Sequence, residues 1–107
     1  PRVEPSFLPQ VVDAMMPVDD AQSIAAARLL SQRLGRRVGG STGTNLRAVA
    51  ALAGDLAARG ERGSIVTILC DNGDRYAETY FNDEWVAGCN IDLTTPTRDL
   101  AARLGWE

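Results

Sequence analysis

The chain has 107 residues, a net charge of −3 and a hydrophobic fraction of 45%, which suits one small domain with a modest core. It contains no histidine and no lysine, so the commonest general acid/base and the amine that attaches carbonyl cofactors are excluded. The negative charge and the aromatic fraction of 6% argue against nucleic-acid binding, and no apolar run is long enough to span a membrane.

The predicted elements begin with residues 1–10, whose three prolines and lack of periodicity predict an extended connector. Because no initiator methionine precedes it, we expect the chain to begin inside a longer protein. Residues 11–17 form a short apolar run that predicts a strand ending at a proline. Asp19 or Asp20 can then cap a helix over residues 20–34, where apolar side chains recur at helical spacing.

The second half of the chain predicts three more elements and a tail. An alanine- and leucine-rich stripe predicts a helix over residues 44–59, and the continuous apolar run at 64–70 predicts a buried strand. A further helix is predicted over residues 74–86, and the tail at 88–107 contains one short helical pattern. This order predicts an α/β fold with a parallel sheet, in which residues 11–87 form the domain.

The glycine-rich turn GGSTGT, at residues 39–44, has two interpretations. Its backbone N–H groups can surround an anion or the edge of a cofactor, with the positive end of a helix adding to the attraction. It can equally be the plain start of a helix that Thr44 or Asn45 caps. It lacks the lysine of a P-loop, so as a phosphate site the motif is weak on its own.

The turn DNGDRY, at residues 71–76, also has two interpretations. Asp71 and Asp74 can act as a carboxylate pair in acid/base chemistry, or the motif is an ordinary turn followed by a helix cap. Because ligands of parallel sheets bind beyond the carboxyl ends of strands, we expect this turn and GGSTGT to face one crevice.

The two cysteines, Cys70 and Cys89, lie in no metal-ligand spacing and are too few for a secreted disulfide scaffold. They are interpreted as free thiols in a reducing compartment. No signal peptide is visible at the start of the chain. The sequence therefore predicts a cytoplasmic protein without a metal site.

Taken in order, VGGSTGTNL, the alanine-rich run, IVTILC, DNGDRY and NDEW resemble the carboxyl-terminal part of a known family. These are the fold type II pyridoxal-phosphate enzymes, in their cysteine synthase and cystathionine β-synthase branch. The branch has a Gly-x-Ser-small-Gly turn, a V-x-I-L strand and a D-S-G-[DE]-R-Y turn. The resemblance covers residues 12–86, and it implies that they belong to the large, mostly parallel-sheet domain of such an enzyme.

The resemblance implies a role for three residues in binding pyridoxal 5′-phosphate. Ser41 corresponds to the serine that hydrogen-bonds the pyridine nitrogen of the cofactor, and Asp71 and Asn72 would border its ring. Asn72 stands where the family usually has serine, so it departs from the motif. The family's catalytic lysine, its phosphate-binding loop and its substrate loop all belong to a missing amino-terminal part, so the chain itself holds no catalytic residue.

The resemblance further implies a cysteine synthase-like parent, which replaces the β-substituent of an activated serine with a sulfur nucleophile. Such a parent would take small-molecule substrates and form a homodimer, while the isolated chain would be inactive. Cystathionine synthesis, cysteine desulfhydration and serine or threonine dehydration remain open within the family. Two further hypotheses are a non-catalytic binding or assembly module derived from it, and an unrelated small anion-binding α/β domain.

Overall fold

The computed structural model describes residues 14–70 and 72–106, and in this part of the chain the secondary structure is helical. Helix α1 packs against α2 and α4, and α2 also packs against α4. The helices are α1 Asp20–Leu34, α2 Gly40–Ala58, α3 Asp83–Gly88 and α4 Thr94–Leu104, with a 3-10 turn at Asp74–Tyr76.

Helix α1 confirms the predicted helix over residues 20–34, because both of its ends carry strong local signals. Asp19 is the N-cap: its carboxylate accepts a hydrogen bond from the Gln22 backbone N–H at 2.8 Å, and the Gln22 side chain accepts one from the Asp19 N–H at 3.1 Å. At the other end Gly35 takes the left-handed conformation, with φ of 71°, and donates its N–H to the Ser31 carbonyl.

Replacing Asp19 with alanine removes this reciprocal pair, and we expect the free energy of unfolding to fall by about 1 kcal/mol. Urea denaturation followed by circular dichroism measures the loss. Asp19→Asn is the matched control, since asparagine caps a helix about as well as aspartate does. An asparagine variant as unstable as the alanine variant would mean that the charge, rather than the cap, is what stabilises α1.

Helix α2 begins at Gly40, so the predicted start at Thr44 is wrong and residues 40–43 of the turn are already helical. The reason lies in packing, because the first turn of α2 lies directly on α1. Gly43 has no room for a side chain beside the Ser23 carbonyl and the Ala27 backbone. The Ser23 and Thr44 hydroxyls also form a hydrogen bond of 2.6 Å between the two helices. These contacts offset the poor helix propensity of glycine.

The core is small and rich in alanine, since α1 and α2 approach closely. One cluster joins the three long helices through Ala26, Ala50 and Leu100, with leucines of the same helices packed around it. The fully buried side chains of greatest volume are Ile24, Val38 and Leu100. Because so few large side chains are buried, each contributes a large share of the hydrophobic stabilisation.

The predicted α/β fold, with a mostly parallel sheet and strands at residues 11–17 and 64–70, is wrong for the described residues. Residues 14–17 and 64–70 have no regular secondary structure, and the rest of the first predicted strand lies outside the described residues. Instead of being buried, Val66 is 91% and Ile68 67% exposed. The physical reason is that a strand needs a neighbour for its backbone groups, and the described part of the chain supplies none.

The predicted helix over residues 74–86 is also wrong as one element. The chain forms the 3-10 turn Asp74–Tyr76, continues through further turns, and only then begins α3 at Asp83. Asn82 starts this helix by accepting a hydrogen bond from the Trp85 N–H at 3.0 Å, so a local cap divides the segment in two.

The helix at the end of the chain, α4, begins at Thr94 and places Leu100 in the core. The exposed Asp92 side chain accepts a hydrogen bond from the Thr94 N–H at 2.9 Å, and hydrogen bonds from the Thr94 backbone and side chain lower the pKa of that carboxyl. The helix ends at Gly105, which takes the left-handed conformation with φ of 68°.

Candidate functional site

The two polar turns of the sequence lie side by side at the amino-terminal end of α2. Val38, just before the helix, forms an isolated antiparallel bridge with Asn72, and the Gly73 N–H donates to the Arg37 carbonyl at 3.1 Å. Gly73 is buried, and a Cβ there would collide with the Val38 backbone, so only glycine allows this approach. The 72–73 segment is thereby brought to the turn that carries Ser41.

Ser41 lies in the first turn of α2 and is exposed. The N-cap is Gly39, which has no side chain to occupy the free N–H groups of this turn, and no acidic residue follows in the turn. The Ser41 hydroxyl makes no hydrogen bond to any described residue. The site therefore offers an exposed hydroxyl, unpaired among residues 14–70 and 72–106, at the positive end of a 19-residue helix.

Two other side chains of α2 hold the end of the 64–70 segment, and no spacing in the sequence indicates either contact. The Thr42 hydroxyl accepts a hydrogen bond from the Cys70 N–H at 2.9 Å. The Asn45 amide donates to the Ile68 carbonyl at 3.1 Å and lies 3.6 Å from the Cys70 sulfur. Residues 68–70 therefore lie against the same end of α2 as Ser41.

Of the other predicted site residues, Asn72 shapes its turn, Asp74 is in an ion pair, and Asp71 lies outside the described residues. The Asn72 side chain accepts a hydrogen bond from the Asp74 N–H at 2.7 Å, so its carbonyl oxygen is used in shaping the turn. Asp71 lies outside the described residues, which leaves its predicted place beside a cofactor ring a prediction. Asp74 is exposed and lies 3.6 Å from the Arg37 guanidinium, so this half of the hypothetical carboxylate pair is in an ion pair.

An aromatic cluster that was not predicted from the sequence places one of its rings against the first residue of α2. The ring of Tyr80 lies so close to Gly40 that a Cβ at residue 40 would collide with it. Tyr80 stacks on Tyr76 with centroids 4.9 Å apart and contacts Trp85 at 5.9 Å. Burial raises the pKa of the Tyr80 hydroxyl, and the negative charge of Asp20 raises it further. The only signal in the sequence was the recurrence of aromatic residues between 76 and 85.

An arginine of α1 fixes the position of this cluster. The Arg28 Nε donates to the Tyr80 carbonyl at 2.8 Å, and its Nη1 forms an ion pair with Asp83 at 2.6 Å. The main chain that carries the aromatic side chains is thus joined to α1, and the Tyr80 ring is held over the start of α2.

The described residues contain no cluster of three or more histidine, cysteine, aspartate or glutamate side chains that could bind a metal. Cys70 and Cys89 are free, exposed thiols. None of the helices in residues 14–70 and 72–106 combines the length and apolar character needed to cross a membrane.

Comparison with known proteins identifies two relatives whose names refer to cysteine metabolism. The chain is 58% identical over 100 residues to L-cysteine desulfhydrase Cds1 of Mycobacterium tuberculosis, and 36% identical over 96 residues to a putative cysteine synthase of Sinorhizobium fredii. These matches cover 94% and 89% of the chain but only 27% and 26% of the relatives, so the chain spans about a quarter of their length. No family model and no solved structure matches.

Proposed function

We propose that the chain is part of a pyridoxal-phosphate enzyme of cysteine metabolism, in which Ser41 contacts the pyridine nitrogen of the cofactor. The observation that carries this proposal is the similarity of nearly the whole chain to two enzymes whose names place them in cysteine metabolism, together with an exposed hydroxyl at residue 41. When bound, pyridoxal phosphate withdraws electrons from the substrate amino acid and so allows its β-substituent to leave.

The first turn of α2 can serve the ring nitrogen of the cofactor in its neutral, unprotonated form. The partial positive charge of the helix end disfavours a protonated, cationic ring nitrogen. A serine hydroxyl can donate a hydrogen bond to the unprotonated nitrogen without bringing a charge. The chain has no lysine to attach the aldehyde, so that amine would have to come from other polypeptide.

Elimination of sulfide from cysteine is the reaction we propose first, because the relative with 58% identity is named as a desulfhydrase. Replacement of the β-substituent of an activated serine by a sulfur nucleophile is the second candidate, favoured by the relative named as a putative cysteine synthase. Both reactions use small amino-acid substrates and the same cofactor chemistry. A homodimer containing additional polypeptide is the assembly we propose for either.

Exposed apolar side chains support a place for the chain within a larger assembly. Val66 and Met15 are 91% and 75% exposed, and Ile68 and Leu69 extend the same apolar character along the 64–70 segment. Isolated soluble domains seldom leave contiguous apolar residues uncovered. Additional polypeptide would cover them, as the greater length of the relatives suggests.

A chimera tests the proposal by placing this chain in the matching region of the M. tuberculosis relative, with sulfide release from cysteine and cofactor absorbance as readouts. We expect Ser41→Ala to lower kcat/KM about tenfold, the effect of losing one hydrogen bond of about 1.4 kcal/mol. Ser41→Asp should favour a protonated ring nitrogen and change both the absorbance and the ratio of products. Ser64→Ala, which alters another exposed serine, is the matched control.

Unchanged spectra and rates in both Ser41 variants would remove this residue from the cofactor site. A chimera that binds no cofactor would instead favour the alternative of a non-catalytic binding or assembly module. The 107-residue chain alone, mixed with pyridoxal phosphate, should not develop the absorbance of lysine-bound cofactor, since it has no lysine.

A further inference from the structure

The segment on either side of residue 71 is attached to the start of α2 by hydrogen bonds at both of its described ends. Before it, the Cys70 N–H donates to the Thr42 hydroxyl at 2.9 Å. After it, Asn72 pairs with Val38, and the next N–H donates to the carbonyl of Arg37. The segment is thus hydrogen-bonded to residues that precede Ser41 and to the residue that follows it.

Thr42 differs from the other groups in this arrangement because it is a buried polar side chain. Only 3% of the residue is exposed, while its neighbour Ser41 is open to solvent. Buried polar groups in folded proteins are nearly always hydrogen-bonded, and here the Thr42 hydroxyl and the Cys70 N–H are each other's partner. The hydrogen bond from the Cys70 N–H to the Thr42 hydroxyl therefore fixes the distance between residue 70 and the first turn of α2.

We propose that Thr42 is a positioning residue for the cofactor site, which holds the Cys70 backbone at a set distance from the Ser41 hydroxyl. This inference rests on the proposed function. Thr42 does not contact the cofactor in this scheme. It acts through the backbone of Cys70, so that Asn72 and Ser41 border the same ligand, and Asn45 supports it through the Ile68 carbonyl.

The first test uses the 107-residue chain and needs no cofactor. Thr42→Val keeps the shape of the side chain but removes the acceptor, and we expect amide hydrogen exchange at Cys70 to become about three- to tenfold faster. Thr42→Ser keeps the hydroxyl and should restore slow exchange. Thr67→Val, at an exposed threonine in the same segment, is the control and should leave the Cys70 exchange rate unchanged.

The second test uses the chimera with the M. tuberculosis relative. There we expect Thr42→Val to lower kcat about tenfold or more, with a smaller change in KM, and to shift the absorbance of the bound cofactor. Thr42→Ser should recover most of the lost rate, because the hydroxyl returns. A purely structural threonine would change stability without changing the spectrum of the cofactor.

Three results would overturn the proposal, and they differ from one another. Unchanged exchange at Cys70 in Thr42→Val would mean that the hydrogen bond does not hold the segment. Faster exchange with unchanged spectrum and kinetics would mean that the bond is structural only. An unsubstituted chimera that binds no cofactor would overturn the proposed function, and the positioning role with it, even if the exchange result held.

Discussion

Replacing Gly43 with alanine is expected to lower the free energy of unfolding by about 3 kcal/mol, which is a large share of the stability of a domain of this size. The added methyl group would stand between α1 and α2 where the two helices lie closest. It would meet the Ser23 carbonyl oxygen and the Ala27 backbone nitrogen. Neither atom belongs to a flexible side chain, so the clash can be relieved only by separating the helices.

Separation of α1 from α2 would also affect the candidate site. It would break the hydrogen bond between the Ser23 and Thr44 hydroxyls and expose Ala27, which is fully buried. The first turn of α2, which carries Ser41, would then lose the contacts that keep glycine-rich sequence helical. We therefore expect the variant to lose helix content as well as stability.

A second glycine of the same helix provides the matched control. Gly54 is exposed, and a Cβ there would come no closer than 3.8 Å to the Arg103 guanidinium. Gly54→Ala should therefore raise stability by about 0.5–1 kcal/mol, since alanine is the better helix former. Urea denaturation followed by far-ultraviolet circular dichroism measures both variants. Equal effects at the two glycines would show that the close approach of α1 and α2 does not determine stability.

The elements that could be predicted from sequence are those fixed by local chemistry. Helix α1 was predicted with its correct bounds because Asp19 and Gly35 act within a few residues of the helix they limit. The start of α2 was not, because glycine, serine and threonine in succession indicate a turn. What makes residues 40–43 helical is the contact of Gly43 with α1, some 20 residues away in the chain, and no local pattern carries that information.

The strand prediction failed for a related reason. The β-branched run at 64–70 has the composition of a buried strand, but composition cannot supply the neighbouring strand that such an element requires. In the described residues this run instead meets α2 through Thr42 and Asn45. Together with the bridge between Val38 and Asn72, those contacts bring residues 72–73 beside the start of α2, while the shared crevice of the two turns stays a prediction. The mechanism is a set of hydrogen bonds to a helix rather than the edge of a sheet.

The candidate site shows the same division between local and distant information. The resemblance singled out Ser41, and the structure adds that its hydroxyl is exposed at an uncapped helix end. The role of Thr42 could not be predicted from the sequence, because a threonine beside a glycine matches no spacing typical of a binding site. Its role depends on a backbone N–H at residue 70, which only the folded chain brings within reach.

Replacing Leu100 with alanine is the second substitution with a large expected effect, at about 2–5 kcal/mol. Leu100 is fully buried, and it joins α4 to Ala26 of α1 and Ala50 of α2. These two alanines are small and belong to different helices, so their side chains cannot fill the cavity that truncation would leave. Leu34→Ala is the control, because that leucine is 47% exposed at the end of α1 and should cost far less.

The Leu100 variant also tests whether residues 88–107 are a separate tail or part of the cooperative unit. The guanidinium of Arg33 lies 4.8 Å from the centre of the Trp106 ring, so the fluorescence of Trp106 reports the docking of α4 on α1. In a Trp85→Phe background this signal belongs to Trp106 alone. If α4 is integral to the core, Leu100→Ala should shift the fluorescence and circular dichroism transitions together to lower urea. If the fluorescence transition moves to lower urea while the circular dichroism transition stays in place, α4 is instead a tail that is not required for the folding of α1 and α2.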